Sequence, residues 1–338
     1  MLFFAILKVV SKFKKLPSDI GGLVMQRDIE QILHNIEKVM IGKREVAELS
    51  LIALLAKGHV LLEDVPGVGK TMMVKSLAKS VGLQFKRIQF TPDLLPSDVV
   101  GVSIYNPSSM QFEFRPGPLL GNIILADEIN RTSPKTQSAL LEGMEEASVT
   151  VDGNTMIIPQ PFFVMATQNP IEYEGTYPLP EAQLDRFLLK IRMGYPNQEE
   201  EMAVLRNAAH SSPIQTIEAV VSADQVIAMQ EQVQQVHVED NVKHYIVQLA
   251  RATRDDARVY LGVSPRASIA LMKAAQAYAF IQGRDYVKPD DVQYLAKFVF
   301  SHRIILKPEA RYEGFTEEKI VNNIVESIPV PVKRYADQ

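Results

Sequence analysis

Residues 61–71, L-L-E-D-V-P-G-V-G-K-T, decide the fold of this chain. The mostly apolar run 59–62 leads into them, Gly67 and Gly69 stand in their second half, and a helical pattern follows at 72–79. A strand, a glycine-bearing turn and a helix in this order point successive backbone N–H groups, and the positive end of the helix, at one centre. The stretch therefore predicts a loop that binds phosphate.

The last two residues of the stretch suit a nucleotide. Lys70 can reach the β- and γ-phosphates, and the hydroxyl of Thr71 can hold Mg²⁺. The general pattern G-x-x-x-x-G-K-[ST] has glycine where this chain has Asp64, so the bare motif is incomplete. The alternative is an ordinary glycine turn, which the strand before and the helix after make the less favoured interpretation.

The composition is that of a globular protein with room for about two domains. The 338 residues are 46% hydrophobic and 22% charged, as in soluble proteins. The net charge of −4 and the lack of a basic stripe interleaved with aromatic residues disfavour nucleic-acid binding. The sequence has no cysteine, which excludes disulfides, thiolate metal sites and thiol nucleophiles and is compatible with the cytoplasm.

The segment from Met1 to Leu16 is apolar at first and then basic. A secretory signal has the reverse order, and the apolar part is too short to span a bilayer. Lys8, Lys12 and Lys15 share one face of a helix, so the segment can lie on a membrane surface. The alternative is a leader that is poorly ordered or packs on the domain. We expect a cytoplasmic protein, peripheral at the inner membrane face if this segment binds lipid.

Strand and helix patterns alternate in the first part of the chain, and only helical patterns follow. This order predicts an α/β domain with a parallel sheet and then an all-helical domain. We place a leader at 1–26, the α/β domain at 27–196 and the helical domain at 197–338. Two hairpins are expected inside the α/β domain, one near 102–114 and one, around an Asp-Gly turn, near 148–158.

Polar residues close two buried strands. Asp127 and Glu128 follow the apolar run 122–126. A carboxylate beside a phosphate loop can hold hydrated Mg²⁺, which fits Asp127, and a second can deprotonate an attacking water, which fits Glu128. Asn169 follows the run 162–167, and its amide can hydrogen-bond a γ-phosphate or water without adding charge. The alternatives are ordinary surface acids and a turn opened by the asparagine.

Two arginines stand at element boundaries. Arg186 precedes the last strand pattern, where a plain salt bridge is the common role. Arg266 lies in the first turn of a helix that Ser264 caps and Pro265 begins. A cation at a helix N-terminus is unfavourable with the helix dipole. The sequence therefore suggests an anionic partner for Arg266, such as a phosphate.

Together these motifs closely resemble those of the MoxR-type AAA+ ATPases. The resemblance spans roughly residues 35–307 and is far more specific than any single motif. Asp64, unusual in the general loop, agrees with forms common in this family. The matching stretches are LLEDVPGVGKT (61–71), ADEINRTSPKTQSALLEGMEE (126–146), ATQNP (166–170), YPLPEAQLDRF (177–187) and GVSPRA (262–267).

The resemblance implies a P-loop AAA+ domain with a helical lid and a role for each site residue. The implied catalytic residues are Glu128, Asn169 as sensor 1, Arg186 as the arginine finger and Arg266 as sensor 2. The implied ligands of Mg²⁺ are Thr71 and Asp127. The implied nucleotide-binding residues are Ile41, Gly42, Asp64, Val65, Pro66, Gly67, Val68, Gly69, Lys70, Thr71 and Met72.

The resemblance also implies a function. Relatives of this type hydrolyse Mg·ATP as homo-oligomeric rings, expected here to be hexameric, and remodel or activate partner proteins, often together with a protein that bears a von Willebrand A domain. The client is not identified by the sequence. The alternatives are a motor subunit like that of magnesium chelatase, a nucleic-acid translocase, and a nucleotide-sensing scaffold without turnover.

The position of Arg186 predicts that it works in a neighbouring subunit. The carboxylates and the phosphate loop belong to the carboxyl ends of strands, where an α/β sheet gathers its ligand contacts. Arg186 precedes its strand and so enters at the amino edge. Because a side chain cannot cross the sheet, we expect Arg186 to reach the nucleotide of the next subunit in a ring.

Overall fold

The computed structural model describes residues 18–63, 67–169, 176–208 and 213–331. The segment from Met1 to Leu16 lies outside the described residues, and so do the predicted nucleotide-binding residues Asp64, Val65 and Pro66. Within the described ranges, no helix is long and apolar enough to cross a membrane.

Strands and helices alternate up to the ninth strand, and helices dominate after it. The strands are β1 (Val60–Glu63), β2 (Phe85–Gln89), β3 (Gly101–Asn106), β4 (Gln111–Pro116), β5 (Ile123–Asp127), β6 (Ser148–Val151), β7 (Asn154–Ile157), β8 (Phe163–Gln168), β9 (Leu189–Ile191), β10 (Val259–Leu261) and β11 (Ile305–Leu306). The helices are α1 (Ser18–Val39), α2 (Arg44–Leu55), α3 (Lys70–Ser80), α4 (Pro96–Val100), α5 (Pro134–Glu146), α6 (Glu181–Leu184), α7 (Gln198–Ala208), α8 (Ala223–Val233), α9 (Asp240–Asp255), α10 (Pro265–Ile281), α11 (Pro289–Phe300), α12 (Pro308–Tyr312) and α13 (Glu317–Ser327). Turns of 3₁₀ helix lie at Ile129–Arg131, Pro213–Gln215 and Ser301–Arg303.

The central sheet has five parallel strands in the order β2-β5-β8-β1-β9. Its inner strands are covered on both faces, which is why they read as continuous apolar runs. Leu61 and Ala126 pack into the core on one face, and Leu62 and Leu125 pack into the core on the other. Ala166 lies between Ala126 and Leu61 in register, so the carboxyl ends of β5, β8 and β1 meet at one edge of the sheet.

The helical part, which we call the lid, shares the larger core with the α/β part. Leu271 of α10 and Val299 of α11 belong to the same buried cluster as Ile52 of α2 and Leu189 of β9. Gln230 of α8 adds a buried hydrogen bond from its side-chain amide to a carbonyl at the end of α2. The predicted fold class, a parallel α/β domain followed by a helical lid, is confirmed.

The expectation of helices alone after residue 196 is wrong in one detail. β10 and β11 pair antiparallel within the lid, Val259 with Leu306 and Leu261 with Ile305. Strands of three and two residues are too short to show the alternation that marks a strand in a sequence.

Two antiparallel hairpins extend from the α/β part. β3 and β4 form the first, and Tyr105 and Phe112 pack their rings edge to face across it at 5.5 Å. β6 and β7 form the second, whose turn residues Asp152 and Gly153 have φ of 51° and 78°. Two successive left-handed residues give the tight turn that suits the twist of a hairpin.

Candidate active site

The described part of the phosphate loop is shaped by two glycines in left-handed conformations. Gly67 has φ of 86°, and Gly69 has φ of 92° and occupies the N-cap position of α3. Among the described residues, no side chain caps this helix and no acidic residue stands in its first turn. The helix start, which carries Lys70 and Thr71, thus offers backbone donors and a positive dipole end to an anion.

The predicted adenine segment lies against this loop. A Cβ on Gly69 would come within 3.0 Å of Cε of Met40, the residue before Ile41 and Gly42. Gly42 has φ of 72°, a left-handed conformation that favours glycine, and a Cβ there would meet the side chain of Glu200. The structure therefore places the Ile41-Gly42 turn between the phosphate loop and the start of α7.

Thr167, at the end of β8, holds both predicted acidic residues. Its hydroxyl donates to Oδ1 of Asp127 at 2.7 Å and accepts the backbone N–H of Glu128 at 2.8 Å. Glu128 has φ of 58° and ψ of 49°, a left-handed conformation that is strained for a residue with a side chain. The sequence analysis quoted Thr167 within ATQNP but gave it no role.

Side chains of β2 and the 3₁₀ turn contact the two carboxylates. Arg87 donates to Oδ2 of Asp127 at 2.5 Å and to Oε1 of Gln89 at 2.6 Å. Gln89 and Arg131 donate to Oε2 of Glu128 at 3.0 and 2.9 Å. Arg131 therefore makes a salt bridge with Glu128 within its own subunit.

Asn169 is buried one residue beyond β8. It is 7% exposed, and its backbone carbonyl accepts the side-chain N–H of Asn130 at 3.5 Å. Asn130 belongs to the 3₁₀ turn that follows Glu128. The predicted sensor thus touches the segment that carries the predicted base.

Glu63, at the end of β1, contacts side chains at the ends of β8 and β9. It accepts Gln168 at 3.0 Å and pairs with Lys190 at 2.9 Å and Arg192 at 2.7 Å. Burial would raise the pKa of its carboxyl, but the two cations outweigh burial and hold the pKa below its ordinary value. Because Glu63 precedes the loop and Gln168 precedes Asn169, these contacts fix the spacing of the loop and the sensor.

The other two predicted catalytic residues meet at the opposite edge of the sheet. Arg186 and Arg266 both contact Glu145, at the end of α5, at 3.1 Å and 2.6 Å. They line a groove of about 210 Å³ with Lys57, just before β1, and Lys273 of α10. The structure thus brings Arg266 to Arg186 at the amino edge and not to the described part of the phosphate loop in its own subunit.

The helix that carries Arg266 begins where predicted, but it is not capped as predicted. Ser264 occupies the N-cap position without a side-chain hydrogen bond to the helix. Its hydroxyl donates instead to Oδ2 of Asp185 at 3.2 Å. The lid is therefore bonded to the residue just before Arg186.

Comparison with known proteins matches both parts of the chain. The family described as "ATPase family associated with various cellular activities (AAA)" matches residues 59–189, and the AAA lid domain family matches residues 251–324. YeaC of Bacillus subtilis is 64% identical over 318 residues, which are 93% of this chain and 99% of YeaC. A crystal structure of a candidate ATPase from Cytophaga hutchinsonii is 39% identical to this chain and superposes with a TM-score of 0.87. The match covers 96% of this chain and 99% of the Cytophaga chain.

A relative that covers nearly the whole chain shows the family. The chaperone MoxR1 of Mycobacterium tuberculosis is 41% identical over 325 residues, 93% of this chain and 86% of MoxR1. The resemblance found in the motifs therefore extends over nearly the whole length. The chain belongs to the MoxR family of AAA ATPases.

Proposed function

We propose that this protein hydrolyses ATP in a homo-oligomeric ring and uses the cycle to remodel or activate a partner protein. The observation that carries the proposal is the division of the site between two edges of one sheet. The phosphate loop, Asp127 and Glu128 lie at the carboxyl edge, whereas Arg186 and Arg266 meet at the amino edge. Subunits related head to tail in a closed ring bring these two edges together at every interface.

The residues at the carboxyl edge fit Mg²⁺ and a nucleotide. Asp127 already holds a cation in this structure, the guanidinium of Arg87 at 2.5 Å, and carboxylate and hydroxyl oxygens are ligands that Mg²⁺ prefers. Thr71 and Asp127 would hold the ion, which when bound neutralises charge on the β- and γ-phosphates. Lys70 and the N–H groups at the start of α3 would hold the phosphates, and the Ile41-Gly42 turn would lie beside adenine.

Glu128 is the residue that we assign to taking the proton from the attacking water. Gln89 and Arg131 hold its carboxylate, and Thr167 holds its backbone, so the group is oriented before substrate arrives. Such preorganisation is what a general base needs in order to act in the transition state. Asn169 is assigned to hydrogen-bonding the γ-phosphate or the water.

The arginines at the amino edge are assigned to the neighbour's nucleotide. Arg186 is 28% exposed and Arg266 is 54% exposed, so both can be reached by a second subunit. Lys57 and Lys273 line the same groove and add positive charge that suits a polyphosphate. Glu145 holds the two guanidinium groups side by side.

The output that we propose is remodelling of a protein partner. One relative is named a chaperone, MoxR1, and a von Willebrand A domain protein is the partner that the resemblance favours. The first hairpin offers a surface for a client, since Tyr105, Met110 and Phe112 are exposed on it. We keep as proposals a hexameric ring, a cytoplasmic location and membrane contact through the segment from Met1 to Leu16.

Phosphate release tests the proposal. Glu128→Gln should still bind ATP but lose at least ~10²-fold in turnover, the usual scale for loss of a general base. Lys70→Ala should lose tight ATP binding, because the phosphates lose the cation of the loop. Glu142→Gln, an exposed glutamate of α5, is the matched control and should keep wild-type turnover. Unchanged hydrolysis in Glu128→Gln would remove the role that we assign to this residue.

A further inference from the structure

Arg303 is a buried arginine of the lid. It ends the 3₁₀ turn Ser301–Arg303 after α11, and its side chain is 3% exposed. A buried guanidinium is costly unless each of its donors finds an acceptor, and an apolar residue of similar volume would often serve stability as well or better. Its place in the fold therefore calls for an explanation beyond stability.

The donors of Arg303 are directed at the segment that carries Arg186. Nε donates to Oδ1 of Asp185 at 2.6 Å, and Nη2 donates to the backbone carbonyls of Asp185 at 3.1 Å and Phe187 at 2.6 Å. Nη1 donates to the carbonyl of Leu188 at 3.3 Å and to that of Val299 in α11, the helix before its turn. The guanidinium thus fixes the backbone on both sides of Arg186.

Two further lid residues hold the same segment. Nε2 of His302 donates to the carbonyl of Phe187 at 3.0 Å. Ser264, which lies two residues before Arg266 in the chain, donates its hydroxyl to Asp185. The lid therefore holds the backbone around Arg186 and presents Arg266 beside it, where Glu145 joins the two side chains.

We propose that Arg303 is the positioning residue of Arg186. The rigid fork of its guanidinium sets where the finger stands at the amino edge, so that the finger and the lid move as one unit. The inference rests on the proposed function, in which Arg186 acts in the site of a neighbouring subunit. It goes beyond that function by placing control of the finger in a buried residue of the lid, whose side chain is 3% exposed.

Subunit mixing tests this role by a readout that loss of stability would not produce. Arg303→Lys keeps the charge but loses the planar fork. We expect its turnover to fall by up to about 10²-fold, the effect of a misplacement near 1 Å, while its affinity for ATP stays at the wild-type value. Mixed with Glu128→Gln under subunit exchange, it should recover activity, because an intact Glu128 then faces an intact finger. Mixed with Arg186→Ala, it should not recover, since both defects lie on the finger side.

The lid supplies a matched control. Arg284 pairs with Asp291 at 2.7 Å and its side chain is 16% exposed, so Arg284→Lys also loses the fork of a mostly buried lid arginine. It should keep wild-type turnover. Asp185→Asn changes the other partner of the ion pair with Arg303. Like Arg303→Lys, it should recover activity when mixed with Glu128→Gln and not when mixed with Arg186→Ala. It tests the contact even if Arg303→Lys folds poorly.

The outcomes separate this inference from the function on which it rests. Wild-type turnover in both Arg303→Lys and Asp185→Asn would overturn the positioning role. So would failure of these two variants to recover with Glu128→Gln in an experiment where Arg186→Ala does recover. If Arg186→Ala itself fails to recover with Glu128→Gln, the shared site is wrong, and the role of Arg303 falls with it.

Discussion

At the scale of single residues, His59 couples the stability of the sheet to pH. The ring is buried at the start of β1, where Nδ1 accepts the N–H of Val164 at 3.0 Å and Nε2 donates to the carbonyl of Met144 at 3.1 Å. Both bonds need the neutral ring, and burial lowers the pKa of His59 to about 4. Between pH 6.5 and 4 the unfolded chain therefore binds a proton that the folded chain does not, so stability falls as pH falls.

We expect the free energy of unfolding to drop by roughly 2 kcal/mol between pH 7 and 5 on account of His59 alone. Burial lowers the pKa of His302 as well, so its effect adds in the same direction. Urea denaturation at the two pH values measures the sum. His59→Asn should flatten the dependence, whereas His34→Asn, which changes an exposed histidine, should leave it as it is. An equal slope in the wild type and His59→Asn would contradict this account.

Thr167 gives a second prediction for a single residue. Thr167→Val keeps the shape but leaves the backbone N–H of Glu128 without its acceptor, which costs roughly 1–3 kcal/mol. Turnover should fall by up to about 10²-fold, because both acidic residues lose their alignment. Thr167→Ser keeps the hydroxyl and should restore most of the turnover. Equal phosphate release in the valine and serine variants would show that the hydroxyl is not needed.

The residues missed by the sequence analysis share one property. Thr167 bonds to Asp127 across 40 positions, and Arg303 bonds to Asp185 across 118. Sequence patterns reveal neighbours within one element, such as the Lys70-Thr71 pair, but they do not show which distant side chain fills a given space. The residues that we assign to the nucleotide can thus be read from motifs, and the residues that hold them in place cannot.

At the scale of elements, helix ends show where propensity and packing disagree. After α2, glycine would be the usual residue for a left-handed conformation, but Lys57 takes it, with φ of 55°. The N–H of the next residue, Gly58, bonds to the carbonyl of Ala53 at 2.8 Å. Glycine is needed at 58 for another reason, since a Cβ there would lie 2.5 Å from Leu188. The glycine at 58 thus stands just past the helix end because Leu188, the residue before β9, comes so close to it.

The first hairpin carries a prediction at the same scale. Trimming residues 104–113 to a short turn should leave basal phosphate release nearly unchanged, because these residues make no contact with the acidic pair in the described structure. Capture of partner proteins by an ATP-loaded Glu128→Gln trap should be lost, because the exposed Tyr105 and Phe112 are removed. Tyr260→Ser, which removes an exposed lid aromatic, serves as the control. A trimmed trap that still captures the same partners would show that the hairpin is not the working surface.

At the scale of the whole molecule, the order of strands was enough to predict that Arg186 enters at the amino edge. The docking of the lid was not predictable in the same way. The packing of α10 and α11 against α2 and β9 in the larger core decides at which edge of the sheet Arg266 lies. A helical pattern in the sequence shows which face of a helix is apolar, but it does not show which element covers that face. The structure therefore adds a second arginine to the predicted finger.

The central claim is that one catalytic site is shared between two subunits, and mixing Arg186→Ala with Glu128→Gln tests it most directly. Each variant alone should be nearly inactive, since an arginine finger is worth about 10³–10⁵ in rate. Lys70→Ala with Glu128→Gln is the control that should stay inactive, because both defects lie on the nucleotide side.

In an equal mixture with verified subunit exchange, about a quarter of the head-to-tail interfaces join an intact Glu128 to an intact Arg186. The account predicts that phosphate release recovers toward about a quarter of the wild-type rate, in proportion to these interfaces. A mixture that exchanges subunits and stays as inactive as its parents would contradict the shared site.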